Sequence, residues 1–327
     1  MRVLVTGGAG YIGAHVVRAL MDRGDTVRIV DDLSSGDPRR VDGVPVLRLD
    51  LAAAGSTEAL VDELTSNETD AVVHLAARKS VADSMSNAAW YYRQNIGGLL
   101  AVVEAMGRSD VNRLVFSSSA AVYGTANGTV TEDFETRTLS PYGSTKLMGE
   151  LLVSDVAATS SLRATSLRYF NVAGALSPEL GDRVVSSLLP MVFERIDRGE
   201  APQIFGTDYE TPDGSCLRDF VHVVDLAEAH LAALDHLDAQ EAPHRVYNVG
   251  TGIGTSVRQM IDAVLAESGS DLRPAVFPRR PGDPEAVVAA VARIQHELHW
   301  TSRFSLADIV ASSWLSHLYF GARPSEN

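Results

Sequence analysis

The sequence predicts an α/β fold, a doubly wound parallel sheet with a smaller α+β lobe behind it. Three observations carry this. Short β-branched runs alternate with helical patterns through the first half of the chain. Those runs are apolar throughout rather than alternating, as strands covered on both faces are. Beyond Gly174 the rhythm breaks into loops rich in Gly, Pro and Asp, such as "LSPELGD", "FGTDYETPDGS" and "FPRRPGDPE".

Taken in order, "RVLV" (2–5), "TVRIVD" (26–31), "VPVLRLD" (44–50) and "DAVVHLAA" (70–77) read as buried strands, with helices over 11–23 and 56–66. A helix near 87–107, the strand "NRLVFSSS" (112–119), a helix over 142–159 and the strand "RATSLRYFNV" (163–172) follow. "DFVHVVD" (219–225) and "VYNVG" (246–250) are expected to return to the large sheet. The domain expectation is therefore residues 1–173 with returning segments near 219–250 as one unit, and 174–218 with 251–327 as the second. There is no internal repeat or low-complexity linker, so the two lobes are expected to pack closely.

Composition excludes some partners. A formal charge of −14 argues against nucleic acid or an anionic membrane surface, both of which reward clustered Lys and Arg. Any anionic ligand must be held locally, by backbone amides or a few placed arginines. Cys216 is the single cysteine, so no intrachain disulfide forms and a reducing compartment is expected. With no signal peptide before "MRVLVTGG" and no run apolar enough to span a bilayer, the expectation is a cytoplasmic protein. The sequons at Asn67 and Asn127 then read as chance matches. The nine histidines show no metal-ligand spacing and one cysteine makes no zinc cluster, so no metal is expected. His74, inside an apolar strand, reads as a core or strand-end histidine.

"VLVTGGAGYIGAHVVRAL" is strand, glycine turn, helix. Gly7, Gly10 and Gly13 are spaced three apart, and Gly8-x-Gly10-x-x-Gly13 fits the dinucleotide fingerprint of a Rossmann-type domain. Glycine permits the tight turn, and the helix N-terminus holds a diphosphate without a lysine. Asp31, at the end of the second strand, suits the adenosine ribose hydroxyls and repels a 2′-phosphate, which favours NAD over NADP. Arg39 and Arg40, close by, weaken that preference.

"SPYGSTKLMGE" (140–150) sets Tyr142 and Lys146 one helical turn apart. Alone, such an i,i+4 pair is common on exposed helix faces. Beside a dinucleotide fingerprint, with "FSSSAAVYG" ending the intervening strand, it reads as chemistry. The Lys146 ammonium is expected to lower the Tyr142 phenol toward a usable general base, and Ser119 to hydrogen-bond the same substrate oxygen. This is a site for oxidising an alcohol by hydride transfer.

"TGGAGYIG", "SSSAAVYG", "SPYGSTK" and "LRYFNVAGA" resemble the extended short-chain dehydrogenase/reductases. Within them, "IFGTDYETPDGSCLRDFVHVVDLAEAH" and "PRRPGDP" resemble the UDP-glucose 4-epimerase family, also called UDP-galactose 4-epimerases, and the likeness runs from Met1 to about Trp300. It implies an NAD-dependent isomerase that inverts C4 of a UDP-hexose through a 4-keto sugar, with Ser119, Tyr142 and Lys146 catalytic. It implies cofactor contacts from Gly7, Gly10, Tyr11, Ile12, Gly13, Asp31, Asp32, Leu33, Ser34, Ser35, Asp50, Leu51, Ala76, Ala77, Lys79, Asn95 and Phe170, besides Tyr142 and Lys146. For the UDP-sugar it implies Lys79, Asn171, Ser187, Leu188, Phe205, Arg218, Arg280, Asp283 and Val287, besides Ser119 and Tyr142. It also implies a homodimer built from the helices near 87–107 and 142–159.

The chain departs from the family's pattern in places. Ala121 replaces a threonine, Asp32 stands where many relatives have asparagine, and Ser187 stands where asparagine or histidine is expected. Val287 replaces a bulky tyrosine, which implies room for an N-acetylated sugar, while Arg183 is a candidate partner for a uronic acid. Ala120 and Ala121 leave no acid for a 4,6-dehydratase or a decarboxylase. A nucleotide-sugar 4-ketoreductase needs the same triad and stays open. A non-catalytic NAD-binding sensor has no need of one.

Overall fold

In the computed structural model, residues 1–185, 187–280 and 282–321 are described; the last part of the expected second lobe, 322–327, lies outside them. The strands run β1 (Arg2–Thr6), β2 (Thr26–Asp31), β3 (Val46–Arg48), β4 (Ala71–His74), β5 (Arg113–Ser119), β6 (Gly128–Val130), β7 (Arg163–Tyr169), β8 (Asn171–Ala173), β9 (Gln203–Phe205), β10 (Leu217–His222), β11 (His244–Val249), β12 (Gly254–Ser256), β13 (Ala275–Phe277) and β14 (Ala286–Ala289). The helices are α1 (Tyr11–Asp22), α2 (Ser56–Ser66), α3 (Val81–Ser86), α4 (Ala88–Tyr92), α5 (Gly98–Arg108), α6 (Pro141–Thr159), α7 (Leu188–Asp197), α8 (Val223–His236), α9 (Val257–Ser268), α10 (Ala292–Leu298) and α11 (Leu306–Gly321).

Seven strands form one parallel sheet in the order β11-β7-β5-β4-β1-β2-β3. The apolar runs explain its burial, because each face carries its own core. Val3, Val5, Ile29 and Val73 pack toward α1 and α8 on one side. Leu4, Val30, Val72 and Leu114 pack toward α2, α5 and α6 on the other. Alternate residues of a strand point to opposite faces, so a strand apolar at every position feeds both layers.

The second sheet runs β12-β10-β14-β6, with β8 paired to β10. A pair formed by β9 and β13 and the helices α7, α9 and α11 complete this lobe around Phe193, Ile204, Met260 and Val264.

Three expectations need correction. The segment at 219–225 does not rejoin the large sheet: β10 stops at His222, and its edge takes β8, β12 and β14 instead. The His222 side chain accepts from the Val224 N–H and starts α8 there. The helix expected over 87–107 is broken by a π-turn at Arg93–Gly97, a local widening that is frequent at functional sites. The strand expected over 163–172 is interrupted at Phe170, so β7 joins the large sheet and β8 the second one.

Five largely buried histidines are held neutral: burial pushes His15, His222, His230 and His244 down to about 4 and His74 to about 3. Between pH 4 and 6.5 the unfolded chain therefore binds protons that the folded chain does not. Stability contributed this way is complete above pH 6.5 and is lost as pH falls toward 4. Burial raises Asp31, Asp219 and Asp225, which act in the opposite sense but are outnumbered. Urea unfolding is expected to show a midpoint that drops steadily from pH 6.5 to 4.5, and a flat midpoint over that interval would contradict this account.

Candidate active site

In the large sheet β1 has β2 on one side and β4 on the other, so the strand order reverses there. Ligands of such sheets bind at the carboxyl ends of the strands on either side of the reversal. A cleft of about 470 Å³ occupies that position. One wall is the glycine turn. Gly7 has φ +71, and a Cβ on Gly13 would stand 2.1 Å from the Gly7 carbonyl oxygen, so neither position admits a side chain without moving backbone. Gly10 caps α1 without any side-chain hydrogen bond, which leaves the first amides of the helix for an anion.

Asp31 sits beside the turn. It accepts from the Ala9 N–H at 3.0 Å and the Leu33 N–H at 2.8 Å, one on each carboxylate oxygen. Burial raises its pKa while these two amides oppose the shift. Each oxygen keeps a lone pair for a ribose hydroxyl. Asp32 is neutralised by Arg78, which also bonds Ser34 and Gln94 and lies over the Trp90 ring. Asp32, Ser34, Ser35, Asp50, Leu51, Ala76, Ala77, Lys79 and Asn95 all line the cleft with Gly7, Gly10, Tyr11, Ile12 and Gly13. Asn95, inside the π-turn, accepts from the Arg78 amide at 2.7 Å and donates to the Arg78 carbonyl and to Thr145. It thereby ties the 76–79 loop to α6. These residues fit a dinucleotide: an uncapped helix start for the diphosphate and a carboxylate for the ribose.

The inner end carries the Tyr-Lys pair. Ser140 caps α6 by accepting from the Gly143 N–H, and Pro141 occupies the first helical position, where its missing amide costs nothing. The helix so started presents Tyr142 and Lys146 inward, both buried. Ser119, at the end of β5, stands near enough to Tyr142 to act on its pKa, while its own Oγ accepts from the Ala121 N–H at 3.2 Å. Lys146 donates to the Ser117 carbonyl at 2.7 Å, and its Nζ lies 6.0 Å from the Tyr142 ring centre.

The electrostatics differ from expectation. Burial raises the Tyr142 pKa, and the Ser119 hydrogen bond is what opposes it. Lys146 is itself pushed down to about 7 by burial, with Glu150 working the other way. An ammonium disfavoured by burial and spent on a carbonyl does little for the phenol, so desolvation wins in the protein alone.

Beneath the pair lies an ionic network. Arg168 on β7 forms a two-pronged ion pair with Glu150 of α6, and Ser118 donates to the same carboxylate. Arg168 also reaches Tyr123 and the Glu132 carbonyl, each at 3.0 Å.

A second pocket of about 210 Å³ opens in the other lobe. Asn171, Leu188, Phe205, Arg218, Arg280 and Asp283 line it, bringing together residues from five separate segments. Arg218 pairs with Asp283, and the Arg280 guanidinium lies 3.9 Å from the Phe205 ring centre. Tyr169 lines the first cleft and Asn171 the second, so one short stretch of chain reaches both.

Some expected contacts lie elsewhere. Phe170 is buried against Tyr123 at the junction of the lobes. Leu33 packs its side chain against the core with φ +58. Val287 packs beside the same junction as Phe170, and Ser187 caps α7 while bonding Asp182. Arg183 pairs with Asp37 and stacks on Phe320 rather than facing the second pocket. Sequence reasoning missed Arg78, Ser117, Tyr169 and Cys216 as lining residues. Their placement depends on which strand ends converge, and no local pattern marks it.

The glycine geometry is testable by thermal melting. Gly13→Ala forces its methyl onto the Gly7 carbonyl and is expected to cost about 1–3 kcal/mol. Gly10→Ala, with 3.2 Å available to the same atom, is expected to cost less.

Residues 3–250 match the model of the NAD dependent epimerase/dehydratase family. The chain is 40% identical over 321 residues to a UDP-glucose 4-epimerase of Azospirillum brasilense, covering 96% of this chain and 91% of that one. It is 38% identical to one of Corynebacterium glutamicum, covering 96% and 95%. Among solved structures, a UDP-glucose 4-epimerase of Stenotrophomonas maltophila with bound NAD and formylated UDP-arabinopyranose superposes with a TM-score of 0.93. It shares 36% identity over 98% of this chain and 99% of that one. One of Bifidobacterium longum in complex with NAD+ and UDP gives 0.88 at 34% identity over 98% of each. The glycine turn, the Asp31 carboxylate and the buried tyrosine and lysine thus stand in a chain that belongs to the NAD dependent epimerase/dehydratase family.

Proposed function

We infer that this chain inverts the configuration at C4 of a UDP-hexose, with NAD as its cofactor. One observation carries the reading: Tyr142 and Lys146 line the glycine-walled cleft together with Tyr169, and Asn171, two residues further on, lines the arginine-bearing pocket. When bound, NAD supplies the acceptor and donor of hydride at the sugar carbon.

The chain's own groups do the rest. Asp31, Asp32, Ser34 and Ser35 hold the adenosine ribose side, and the start of α1 holds the diphosphate. Arg218 and Arg280 supply charge for the UDP diphosphate, and Asp283 takes the uridine ribose. Tyr142 withdraws the proton from the sugar 4-hydroxyl and later returns it to the same oxygen, which Ser119 hydrogen-bonds; in between, the 4-keto sugar turns over, so that the C4–H bond re-forms on its other face. Lys146, disfavoured as a cation by burial, is favoured as one when negative charge develops on the substrate oxygen or on the neighbouring phenol. Ala120 and Ala121 follow Ser119 in a tight turn and offer no acid, so the ketone has no route to elimination.

The decisive assay incubates the purified protein, with no added cofactor, with UDP-galactose, UDP-glucose and UDP-GalNAc and separates the products. Interconversion of the first two is expected, and a requirement for added NAD(P)H with net reduction would point to a ketoreductase instead. Turnover of UDP-GalNAc checks whether an N-acetylated sugar is accepted. Tyr142→Phe is expected to lower kcat by about 100-fold or more while leaving bound NAD per chain unchanged; full activity in that variant would falsify the mechanism.

We further propose that the chain works as a homodimer through α5 and α6. Leu100, Met148 and Leu151 are 40%, 44% and 58% exposed on these neighbouring helices. Exposed apolar side chains on two neighbouring helices favour an interaction site there in a protein that is otherwise acidic. Light scattering is expected to give the mass of two chains, falling to one in Met148→Glu/Leu151→Glu.

A further inference from the structure

The Arg78 side chain reaches across the cofactor cleft. β1 lies between β2 and β4 in the parallel sheet, and the glycine turn follows β1. Asp32 and Ser34 come just after β2, and Arg78 comes just after β4. The Arg78 guanidinium pairs with Asp32 and donates to Ser34, so a polar link passes from one neighbour of β1 to the other. Its Nη2 also donates to the Gln94 side-chain carbonyl at 3.2 Å, and Gln94 in turn donates to Asp50, past the end of β3, at 3.4 Å. The loops after β2, β3 and β4 are thereby joined above the ribose end of the cleft. Arg78, Asp32, Ser34, Gln94 and Asp50 line that cleft together with Gly7, Gly10 and Gly13.

We propose that Arg78 and Asp32 form a clasp over the adenosine half of the cofactor, one that must open each time the cofactor enters or leaves. The fork of a guanidinium suits this task, because it holds Asp32, Ser34 and Gln94 at once, which a single ammonium does not. The Arg78 and Asp32 side chains are 21% and 26% exposed. A pair half out of water is worth more than a fully solvated one, yet water still reaches both partners, so it opens without stranding a buried charge. The Trp90 ring, 5.0 Å from the Arg78 Cζ, backs the guanidinium.

The main chain at Arg78 is fixed separately. Asn95 accepts from its N–H at 2.7 Å and donates to its carbonyl at 3.1 Å. Removing the side chain therefore leaves the 76–79 loop in place, and what changes belongs to the guanidinium. A link lying across the path slows passage in both directions, whereas a contact made only to bound ligand slows exit alone.

This rests on the reading of the cleft as an NAD site, and the test separates the two. Wild type, Arg78→Ala, Asp32→Ala and the double variant are loaded with NAD and diluted. Released NAD is reduced by an excess of alcohol dehydrogenase with ethanol, and the appearance of NADH times the release. Uptake of NAD by the stripped proteins is timed by the quenching of tryptophan fluorescence. Release from Arg78→Ala is expected to be about tenfold faster than from wild type, the loss of a half-buried ion pair with its hydrogen bonds. Uptake should quicken too, so that affinity falls by less than release rises. Adding Arg78→Ala to Asp32→Ala should accelerate neither step further. An unchanged release rate in Arg78→Ala overturns the proposal. So does faster release with unaltered uptake, which makes Arg78 a direct contact of the cofactor, or an equal acceleration in the Asp32→Ala background, which makes it independent of Asp32. A wild type that takes up no NAD refutes the reading of the cleft, and the clasp with it.

Discussion

The ion pair between Glu150 and Arg168 is the constraint on which the site's geometry depends. It is buried, two-pronged, and completed by Ser118, Tyr123 and the Glu132 carbonyl. Such a pair adds little net stability over a well-packed apolar substitute, because desolvation consumes most of the attraction. Breaking it is another matter, since one charge would be stranded in the interior. The pair therefore fixes where α6 sits along β5 and β7, and α6 carries Tyr142 and Lys146. Serines 117, 118 and 119 are consecutive, and each attends to a different partner: Lys146, Glu150 and Tyr142. The register of one strand end is thus read three times by one helix.

Desolvation and charge compete at Tyr142 and Lys146. Burial alone pushes the phenol up and the ammonium down, and both movements oppose catalysis. The protein accepts this because a dry site strengthens every later interaction with a charged ligand. A lowering of the Tyr142 pKa must then come from positive charge brought into the cleft.

Much of this was legible in the residues. The strands from Arg2 to Ser119 announced themselves by apolar runs, and Gly7, Gly13 and Asp31 by spacing after a strand. Tyr142 and Lys146 were marked by the Ser140-Pro141 start of their helix. What was not legible depended on tertiary choice. β10 reads like any buried strand, and no local pattern says that it pairs with β8, β12 and β14 rather than with an edge of the large sheet. Arg78 and Arg40 look like solvated charges until the loops bring Asp32 and Gly181 to them. The electrostatic expectation for Tyr142 failed because spacing says nothing about depth of burial.

The strand β6 has a consequence for how the molecule is made. It lies at Gly128–Val130, yet its ladder partner is β14 at Ala286–Ala289. During synthesis this segment must wait, unpaired, until almost the whole chain has left the ribosome. The seventh member of the large sheet, β11, emerges while it waits. The seven-stranded half is then the template on which the second sheet is finally sewn, and a truncated chain ends with an open seam.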